Sequence, residues 1–431
     1  MELLSFGVSN LYGIYSYHFE INKEQNIFIL TGPNGYGKTT ILNILNSLSQ
    51  KELIYFYVLP FERIEIRFSM HIRISIVSEK ENSLTDSETY EEDRKVLQDK
   101  RVIFYWYSGE ELVSKLVIDK RSLLKATRNI GFYSRQYYSG LNFQSNEFLR
   151  FVRANSRIYD LIAKEQNQEL FLMLLDSLGF SSITAQRINQ FRRDNERKDG
   201  SGMLKSSISD VVNRLEIKLK NIHFEYLNMS QSRNAQLIET LLHKHNQYQR
   251  EEYDNKKREI EKIVKELVNF GLMPITKLHD YEDENARILS AEIDELKEKV
   301  TYYEKILEQL RCFVELLNNK KFANKTIEIA PSYGLRFRTL NGENLDVEKL
   351  SSGEQNEVIM LYNLIFEGHD NSVLLIDEPE ISLHVVWQHH FMKDLEKVAK
   401  LRNLQILVAT HSPQIIAERW EDTYDLLENS I

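Results

Sequence analysis

A glycine-rich segment near the N-terminus, "GPNGYGKTT" at residues 32–40, restricts the fold of this chain more than any other feature. It follows an apolar strand pattern, "NIFIL", and runs into "ILNILNSL", whose apolar positions suit a helix. A glycine loop between a strand and a helix is typical of a phosphate-binding loop, because glycines let backbone N–H groups turn toward an anion. We therefore predict an α/β fold in which Lys38 contacts the outer phosphates of a nucleotide and the Thr39 hydroxyl binds Mg²⁺. The predicted nucleotide contacts in this loop are Asn34, Gly35, Tyr36, Gly37, Lys38, Thr39 and Thr40.

Two later apolar segments end in residues that suit hydrolysis. "SVLLIDEPE" places Asp377 and Glu378 after a buried-strand pattern, and "QILVATHSP" places His411 in the same way. Asp377 can hold Mg²⁺ through a water molecule, Glu378 can polarise the attacking water, and His411 can hydrogen-bond the γ-phosphate. Together with the phosphate loop, these residues predict an enzyme that hydrolyses ATP to ADP and phosphate with Mg²⁺ as its cofactor.

A second loop of small residues opens a helix much later in the chain. "VEKLSSGEQNEVIMLYNL" at residues 347–364 has a Ser-Ser-Gly segment followed by a helix pattern. The first N–H groups of a helix lack intrahelical partners, so this loop is also suited to an anion. The chain therefore carries two predicted phosphate-binding loops.

Taken in chain order, "GPNGYGKTT", "LSSGEQ", "LLIDEPE" and "VATHS" resemble the motifs of the ABC-type ATPases of the SMC, Rad50, RecF and OLD lineage. That resemblance implies a signature motif at Ser351, an acid for the metal at Asp377, a catalytic base at Glu378 and a switch histidine at His411. The family commonly reads Leu-Ser-Gly-Gly, and Ser352 replaces one of these glycines here. The candidate for the family's γ-phosphate-sensing, metal-side glutamine is Gln136 in "GFYSRQYYSG". The implied nucleotide contacts in the signature loop are Ser351, Ser352, Gly353 and Glu354.

In this family the signature loop caps the γ-phosphate that is held by the phosphate loop of a second subunit. The resemblance thus implies a homodimer with two ATP molecules between two heads, which accounts for two phosphate-binding loops in one chain. It also implies a fold class: an α/β, ABC-type P-loop ATPase head of mixed sheet and helices, interrupted by an antiparallel coiled-coil or helical arm.

The arm is predicted from a change of hydrophobic period between the two groups of strand patterns. Alternating spacings of four and three residues favour a coiled-coil seam in the second half of the arm. The predicted regions are residues 1–204 for the N-terminal part of the head with a helical lobe, 205–320 for the arm, and 321–431 for the C-terminal part of the head. The seam residues are Leu289, Ile293, Leu296, Val300, Tyr303, Leu307, Leu310, Val314 and Leu317.

The predicted arm consists of two limbs joined by a turn at Gly271 and Pro274. The second limb, about 40 residues, would extend about 60 Å. The first limb is longer and must break to match it, and "MSQSRNAQ" at residues 229–236 is the predicted break. A compact helical bundle is the alternative. The strand patterns "KTIEIA" and "LRFRTL" are expected to rejoin the head, and residues 145–195 are expected to be helical.

Composition limits the partners. The formal charge of −9 argues against general attraction to nucleic acid or to anionic membranes. No apolar segment reaches the roughly 20 residues that span a bilayer, and Cys312 is the only cysteine. No basic and apolar signal sequence opens the chain. We expect a soluble cytoplasmic protein with no membrane partner.

Three functions remain to be weighed. A transporter subunit is disfavoured, because Lys38 and Ser351 are 313 positions apart with the arm between them. A DNA-repair clamp like SMC, Rad50 or RecF is the alternative. Contact with DNA would fall on a basic cluster, although such a cluster is more often a solvated loop. The members of this cluster are Arg187, Arg192, Arg193, Arg197 and Lys198.

The favoured function is an anti-phage ATPase. "IDEPEISLHVVWQ" resembles the corresponding segment of OLD-like ATPases, which often carry a nuclease domain after the ATPase. Only twenty residues follow His411, so we expect the nuclease to be a separate effector chain, as in the two-gene PARIS and Septu defence systems. The chain would then be a sensor and scaffold that binds the effector and releases or activates it when a phage protein triggers it.

Overall fold

The computed structural model describes residues 1–22, 25–80, 100–129, 152, 155–184, 207–243, 247–320, 322, 325–381, 383 and 385–429. The chain divides into two compact units. We call residues 1–185, 368–381 and 388–431 the sheet unit, and residues 186–367 and 382–387 the helical unit. Within the described residues, no helix is long and apolar enough to cross a membrane.

The secondary structure alternates between strand-rich ends and a helical middle. The strands are β1 Leu3–Leu11, β2 Tyr15–Glu20, β3 Ile27–Thr31, β4 Arg63–Phe68, β5 Ile72–Lys80, β6 Lys100–Ser108, β7 Glu111–Ile118, β8 Phe180–Thr184, β9 Lys325–Ala330, β10 Gly334–Thr339, β11 Asn344–Leu345, β12 Val373–Asp377, β13 Gln405–Ala409 and β14 Thr423–Asp425. The helices are α1 Lys38–Ser49, α2 Ile54–Val58, α3 Lys120–Asn129, α4 Arg157–Glu165, α5 Glu169–Ser177, α6 Ser207–His243, α7 Arg250–Asn269, α8 Ala286–Asn319, α9 Ser352–Phe366, α10 Val385–Arg402 and α11 Pro413–Ile416.

A parallel sheet in the order β14-β3-β13-β12-β8 forms the centre of the sheet unit. All five residues of β3 are buried, as expected for a strand that is covered on both faces. Segments from the two ends of the chain are therefore neighbours in one sheet. Because the strands are parallel, the C-terminal ends of β3, β12 and β13 meet at one edge, where the sequence places the phosphate loop, Asp377 and His411.

A second, antiparallel sheet in the order β2-β1-β4-β5-β6-β7 belongs to the same unit. Its aromatic side chains join the core of the parallel sheet: the Phe6 and Phe19 rings stack at 5.4 Å, and Phe19 stacks on Phe28 of β3 at 5.0 Å. Helix α1 buries Ile41, Ile44 and Leu45 completely in this core. The helix that follows the phosphate loop is thus held by packing, so its N-terminus is fixed.

The long helices α6 and α8 are antiparallel in the helical unit. Lys218 Nζ and Gln309 Nε2 donate to neighbouring carbonyls of α9, and the Tyr226 ring packs 4.8 Å from that of Tyr303. A rise of 1.5 Å per residue makes α6, with 37 residues, about 55 Å long. Eight of the nine predicted seam positions of α8 are buried, all but Val314, and Ile306, Phe313 and Leu316 are buried as well. The buried face is therefore wider than a two-helix seam.

Helix α7 accounts for the wider buried face and corrects the predicted arm. Tyr248, just before α7, donates its hydroxyl to Asp294, and Glu266 near the end of α7 pairs with Arg311. The two contacts lie in the same order along both helices, since position 248 meets 294 and position 266 meets 311. Helix α7 therefore runs parallel to α8. The chain then returns as an extended segment, since the Tyr281 hydroxyl donates to Tyr248 O at 3.0 Å.

Two details of the arm prediction are therefore wrong. Gly271 and Pro274 do not join two antiparallel limbs, because Gly271, with φ +65°, ends α7 and begins the extended return. The interruption at residues 229–236 is also wrong, because α6 is continuous from Ser207 to His243. The helix breaks later, between His243 and Arg250, where α7 begins.

Two strand predictions also need correction. Residues 145–195 are not wholly helical, because Phe180–Thr184 forms the edge strand β8 and pairs in parallel with β12. Strands β9 and β10 do not rejoin the parallel sheet, because they form a separate antiparallel sheet with β11. The fold class itself is confirmed: an α/β P-loop ATPase head of mixed sheet and helices, interrupted in sequence by long helices that include an antiparallel pair.

Candidate nucleotide-binding site

The phosphate loop connects β3 directly to α1. Gly32, Gly35 and Gly37 have φ values of +137°, +91° and +91°, a region that L-residues rarely adopt. Gly37 is the residue before the first turn of α1, and its left-handed conformation starts the helix at Lys38. Asn34 is exposed, as is Gly35. The loop thus leaves the N-terminus of α1 accessible to an anion.

The Lys38 side chain lies inside this loop. Its ammonium group donates to Gly32 O at 2.6 Å and to Pro33 O at 3.1 Å, and the residue is 5% exposed. Burial lowers the pKa of Lys38, while nearby carboxylates, Glu378 first and then Asp377, act in the opposite direction. A buried ammonium group that donates to carbonyl oxygens can exchange them for the more basic oxygens of a phosphate.

Thr39 and Asp377 meet at the C-terminal edge of the parallel sheet. Thr39 Oγ1 donates to Asp377 Oδ1 at 3.1 Å. Burial, together with the neighbouring Glu378 and Glu380, raises the pKa of Asp377 to about 6, against the effect of the Thr39 hydrogen bond and of Lys38. Two hard oxygen atoms at this distance suit Mg²⁺, which takes oxygen ligands and keeps several waters or phosphate oxygens.

Glu378 follows Asp377 in a strained backbone conformation. Its φ is +47°, which is unusual for a residue with a Cβ and is common at functional sites. Its N–H donates to Ala409 O at 2.9 Å, so β13 holds the strained residue in place. The side chain is half-buried. This position agrees with the predicted role of Glu378 as a base, which stays a prediction.

His411 follows Thr410 at the end of β13 and lies against Glu380. Glu380 Oε1 accepts hydrogen bonds from Thr410 Oγ1 at 2.8 Å and from His411 N at 3.1 Å, and it lies 3.2 Å from His411 Nδ1. The imidazole is 48% exposed. Nδ1 therefore lies against a carboxylate, and Nε2 is on the opposite side of the ring.

Two tyrosines, Tyr17 of β2 and Tyr12 of the turn between β1 and β2, support the phosphate loop. The Tyr17 hydroxyl donates to Tyr36 O at 2.8 Å, and the Tyr12 hydroxyl lies 3.0 Å from Thr40 Oγ1. Burial, with smaller effects from Tyr15 and Tyr36, raises the pKa of Tyr17, so its hydroxyl keeps its proton as a donor. The second sheet thus fixes the predicted contact residues Tyr36 and Thr40.

The signature loop belongs to the helical unit and opens α9. Ser351 caps this helix in a reciprocal arrangement with Glu354: the hydroxyl accepts from Glu354 N, and Glu354 Oε2 accepts from Ser351 N at 2.9 Å. Glu354 Oε1 also accepts from Lys325 at 2.7 Å. Burial favours the neutral acid, but these hydrogen bonds outweigh it and lower the pKa of Glu354.

These contacts give the four predicted residues of the signature loop different environments. Ser351 and Ser352 are exposed, and Gly353 is half-buried. The Glu354 carboxylate is engaged by its own loop and by Lys325, so its predicted contact with nucleotide is the least supported of the four. Gln136 and the basic cluster at residues 187–198 lie outside the described residues.

A family comparison agrees with this geometry. The model of the AAA ATPase domain family matches residues 1–416. The chain belongs to the AAA ATPase domain family. It is therefore an ATPase in the general sense.

Individual relatives are distant or partial. The Retron Ec83 probable ATPase of Escherichia coli is 33% identical over 86 residues, which are 17% of this chain and 16% of that protein. An SMC head bound to the C-winged-helix domain of ScpA is 10% identical, with a TM-score of 0.36 over 97% of this chain and 92% of that chain. The SMC head domain from Thermotoga maritima is 10% identical, with a TM-score of 0.33 over 99% and 94%.

In this AAA ATPase, sequence reasoning missed two contributors to the site. The sequence motif "IDEPE" gave Glu380 no predicted role, although its carboxylate binds the Thr410–His411 turn. Tyr12 was not considered, because it lies between two predicted strands, yet it is 47% exposed beside Thr40. The repeated acid in "DEPE" was a usable signal for Glu380, and no sequence signal distinguished Tyr12.

Proposed function

We propose that this ATPase binds and hydrolyses ATP between two subunits and serves as a sensor and scaffold in bacterial anti-phage defence. In this proposal the paired subunits hold a separate effector nuclease, and a phage protein triggers its release or activation. The residues of the sheet unit support the ATPase activity, and the signature loop supports the pairing of subunits. The existence of a separate effector is inferred from sequence resemblance. Each part has its own test.

One observation supports the pairing most directly: the chain presents two helix N-termini that suit phosphate. The first, at α1, has its own lysine and metal-binding oxygens. The second, at α9, keeps its cap intact while Ser351 and Ser352 stay exposed. The Glu354 carboxylate in this loop is engaged by Ser351 and Lys325, so the exposed Ser352 hydroxyl and the helix N-terminus remain suited to an anion. Such a loop suits the terminal phosphate of a nucleotide that another subunit holds.

The chemistry can be assigned to residues of the sheet unit. Lys38 and the N–H groups of the phosphate loop bind the phosphates, and Thr39 with Asp377 would hold Mg²⁺. The ion would neutralise the charge that develops on the transferred phosphoryl group. Glu378 orients and polarises the attacking water, and His411 donates from Nε2 to a γ-phosphate oxygen.

The defence role is inferred from similarity. The segment "IDEPEISLHVVWQ" resembles OLD-like ATPases, and the Retron Ec83 relative supports a bacterial ATPase. Because the likeness covers a small part of that relative, the effector partner and the phage trigger of this chain are proposals. The alternative is a DNA clamp of the SMC, Rad50 or RecF kind.

A charge substitution in the signature loop tests the pairing. In the Glu378→Gln background, which should retain ATP, we expect a dimer by light scattering when ATP and Mg²⁺ are present. Adding Ser352→Glu should abolish this dimer, because an acid there repels phosphate while suiting the first turn of α9. Ser352→Ala is the matched control and should leave the dimer intact. A dimer that persists in Ser352→Glu, with ATP still bound, would contradict the pairing through this loop.

Co-expression tests the effector. The protein encoded beside this gene should co-purify with the ATPase, and its nuclease activity should change when ATP is replaced by ADP. The same preparation should show no strong binding to double-stranded DNA at physiological salt. Lack of a complex, together with tight DNA binding by the isolated ATPase, would support the DNA clamp instead.

A further inference from the structure

Glu380 lies in the site but has no role in the chemistry assigned above. It belongs to the short helical turn Pro379–Ile381 that follows β12. Its side chain is 9% exposed, and its oxygen Oε2 is buried with no hydrogen-bond partner among the described residues. A buried carboxylate with an unsatisfied oxygen destabilises a fold, so its presence calls for a functional reason.

The other oxygen of Glu380 organises the turn that carries His411. Oε1 accepts from Thr410 Oγ1 at 2.8 Å and from His411 N at 3.1 Å. Thr410 is completely buried, its N–H donates to Leu30 O of β3 at 3.1 Å, and its hydroxyl accepts from Ser412 N. The turn is therefore attached to the strand that leads into the phosphate loop.

The same oxygen lies 3.2 Å from Nδ1 of the His411 ring. A carboxylate beside Nδ1 favours the ring form with a proton on that nitrogen, because a bare Nδ1 would place two acceptors face to face. A carboxylate that lies against one ring nitrogen restricts the orientation of the ring and so of the other nitrogen. Nε2, on the opposite side of the ring from Nδ1, is then aimed away from Glu380.

We propose that Glu380 is a positioning residue for ATP hydrolysis: it holds the His411 imidazole through Nδ1 and so aims Nε2 at the terminal phosphate. This inference rests on the proposed hydrolysis. Glu380 does not touch the reacting atoms in this account. Its carboxylate acts through His411, so its effect should disappear when the imidazole is absent.

A double-mutant cycle tests that dependence. Glu380→Gln keeps the shape and an oxygen for Thr410 and His411 N, but it removes the charge beside Nδ1. We expect Glu380→Gln to lower kcat on the order of tenfold, because the ionic contact with Nδ1 is lost, with KM for ATP nearly unchanged. In a His411→Ala background, Glu380→Gln should change kcat less than twofold. Glu396→Gln, which removes a carboxylate from a surface pair with Arg419, is the control and should retain wild-type kcat.

A spectroscopic readout separates this inference from the proposed function. The ¹³Cδ2 chemical shift of His411 reports which ring nitrogen carries the proton, and the His411→Ala spectrum assigns the signal. Glu380→Gln should move this shift toward the other tautomer, even in a preparation that does not hydrolyse ATP. Absence of ATPase activity in the wild type would overturn the proposed function alone. An unchanged His411 signal in Glu380→Gln, or an equal loss of kcat with and without His411, would overturn the role of Glu380.

Discussion

Thr39 Oγ1 donates a hydrogen bond to Asp377 Oδ1 at 3.1 Å, across 338 positions of sequence. The first residue opens the helix after the phosphate loop, and the second ends a strand from the far part of the chain. The distance between these two oxygens is the one relationship on which the metal-binding assignment depends. A cation that replaces the shared proton would bind both oxygens without a large rearrangement.

Lys38→Ala should reduce ATP affinity by at least about 100-fold, because the substitution removes the ammonium that binds the outer phosphates. Calorimetric titration with ATP and Mg²⁺ measures this change. Lys51→Ala is the matched control, since Lys51 lies just past the other end of α1 and pairs with Asp176. Unchanged affinity in Lys38→Ala would refute the assignment of the loop.

Glu378→Gln should lower the rate of ATP hydrolysis by about 100-fold or more while leaving ATP affinity within a few-fold of wild type. The amide keeps the shape of the side chain but is a poor base. Steady-state phosphate release and nucleotide titration together measure the two effects. Glu421→Gln, at an exposed position, should behave as wild type. Full activity in Glu378→Gln would show that another residue activates the water.

Asp377→Asn should stabilise the nucleotide-free protein at neutral pH. The pKa of Asp377 is raised from 3.8 to about 6, chiefly by burial and then by neighbouring carboxylates. The folded chain thus binds this proton more tightly than the unfolded chain, and ionisation in the fold destabilises it increasingly as pH rises from about 4 to about 6. The variant should melt a few degrees higher than wild type at pH 7.5, and the difference should shrink toward zero near pH 4.

Thermal melting without nucleotide or Mg²⁺ measures this pH dependence. Asp176→Asn is the control, because Asp176 is 61% exposed in its pair with Lys51 and should give little change. If Asp377→Asn melted lower than wild type at pH 7.5 and matched it near pH 4, the ionised carboxylate would be a stabilising group after all.

Gly334→Ala should destabilise the helical unit strongly. Gly334 has φ +67°, and a Cβ there would lie 2.4 Å from Val212 O and 3.0 Å from Glu216 N, both backbone atoms of α6. We expect the free energy of unfolding to fall by about 3 kcal/mol or more, because the backbone is strained and α6 is displaced. Gly342→Ala is the matched control, because Gly342 also has a positive φ, +80°, but a Cβ there would have no atom within 4 Å. The free energy of unfolding should therefore fall by only about 1 kcal/mol. Equal losses in urea unfolding would show that the contact with α6 can relax.

The local motifs were readable because each depends on a short stretch of sequence. The glycines of the phosphate loop, the apolar strand before Asp377 and the helix that opens after the Ser-Ser-Gly loop all fall where the pattern predicts them. The family match also agrees with the ATPase prediction. The individual roles of the site residues stay predictions.

The remaining features depend on contacts between distant segments. The five residues "FSSIT" form strand β8 because β12 offers a parallel partner almost two hundred positions later, and their own composition does not require a strand. Gly271 fits a helix end as well as a hairpin, so the extended return beside α8 was not visible from its pattern. The role of Glu380 depends on Thr410 and His411, which come near it only after β12 and β13 pair.

The strand order of the parallel sheet has a consequence during protein synthesis. Strand β13 lies between β3 and β12, and both β12 and β13 are translated more than three hundred residues after β3. At about 5–20 residues per second, the phosphate loop waits on the order of half a minute for its metal-binding partner. A nascent chain therefore cannot bind Mg-ATP through both Thr39 and Asp377 until β12 has been translated, and a product truncated before β12 would lack the Asp377 half of the site.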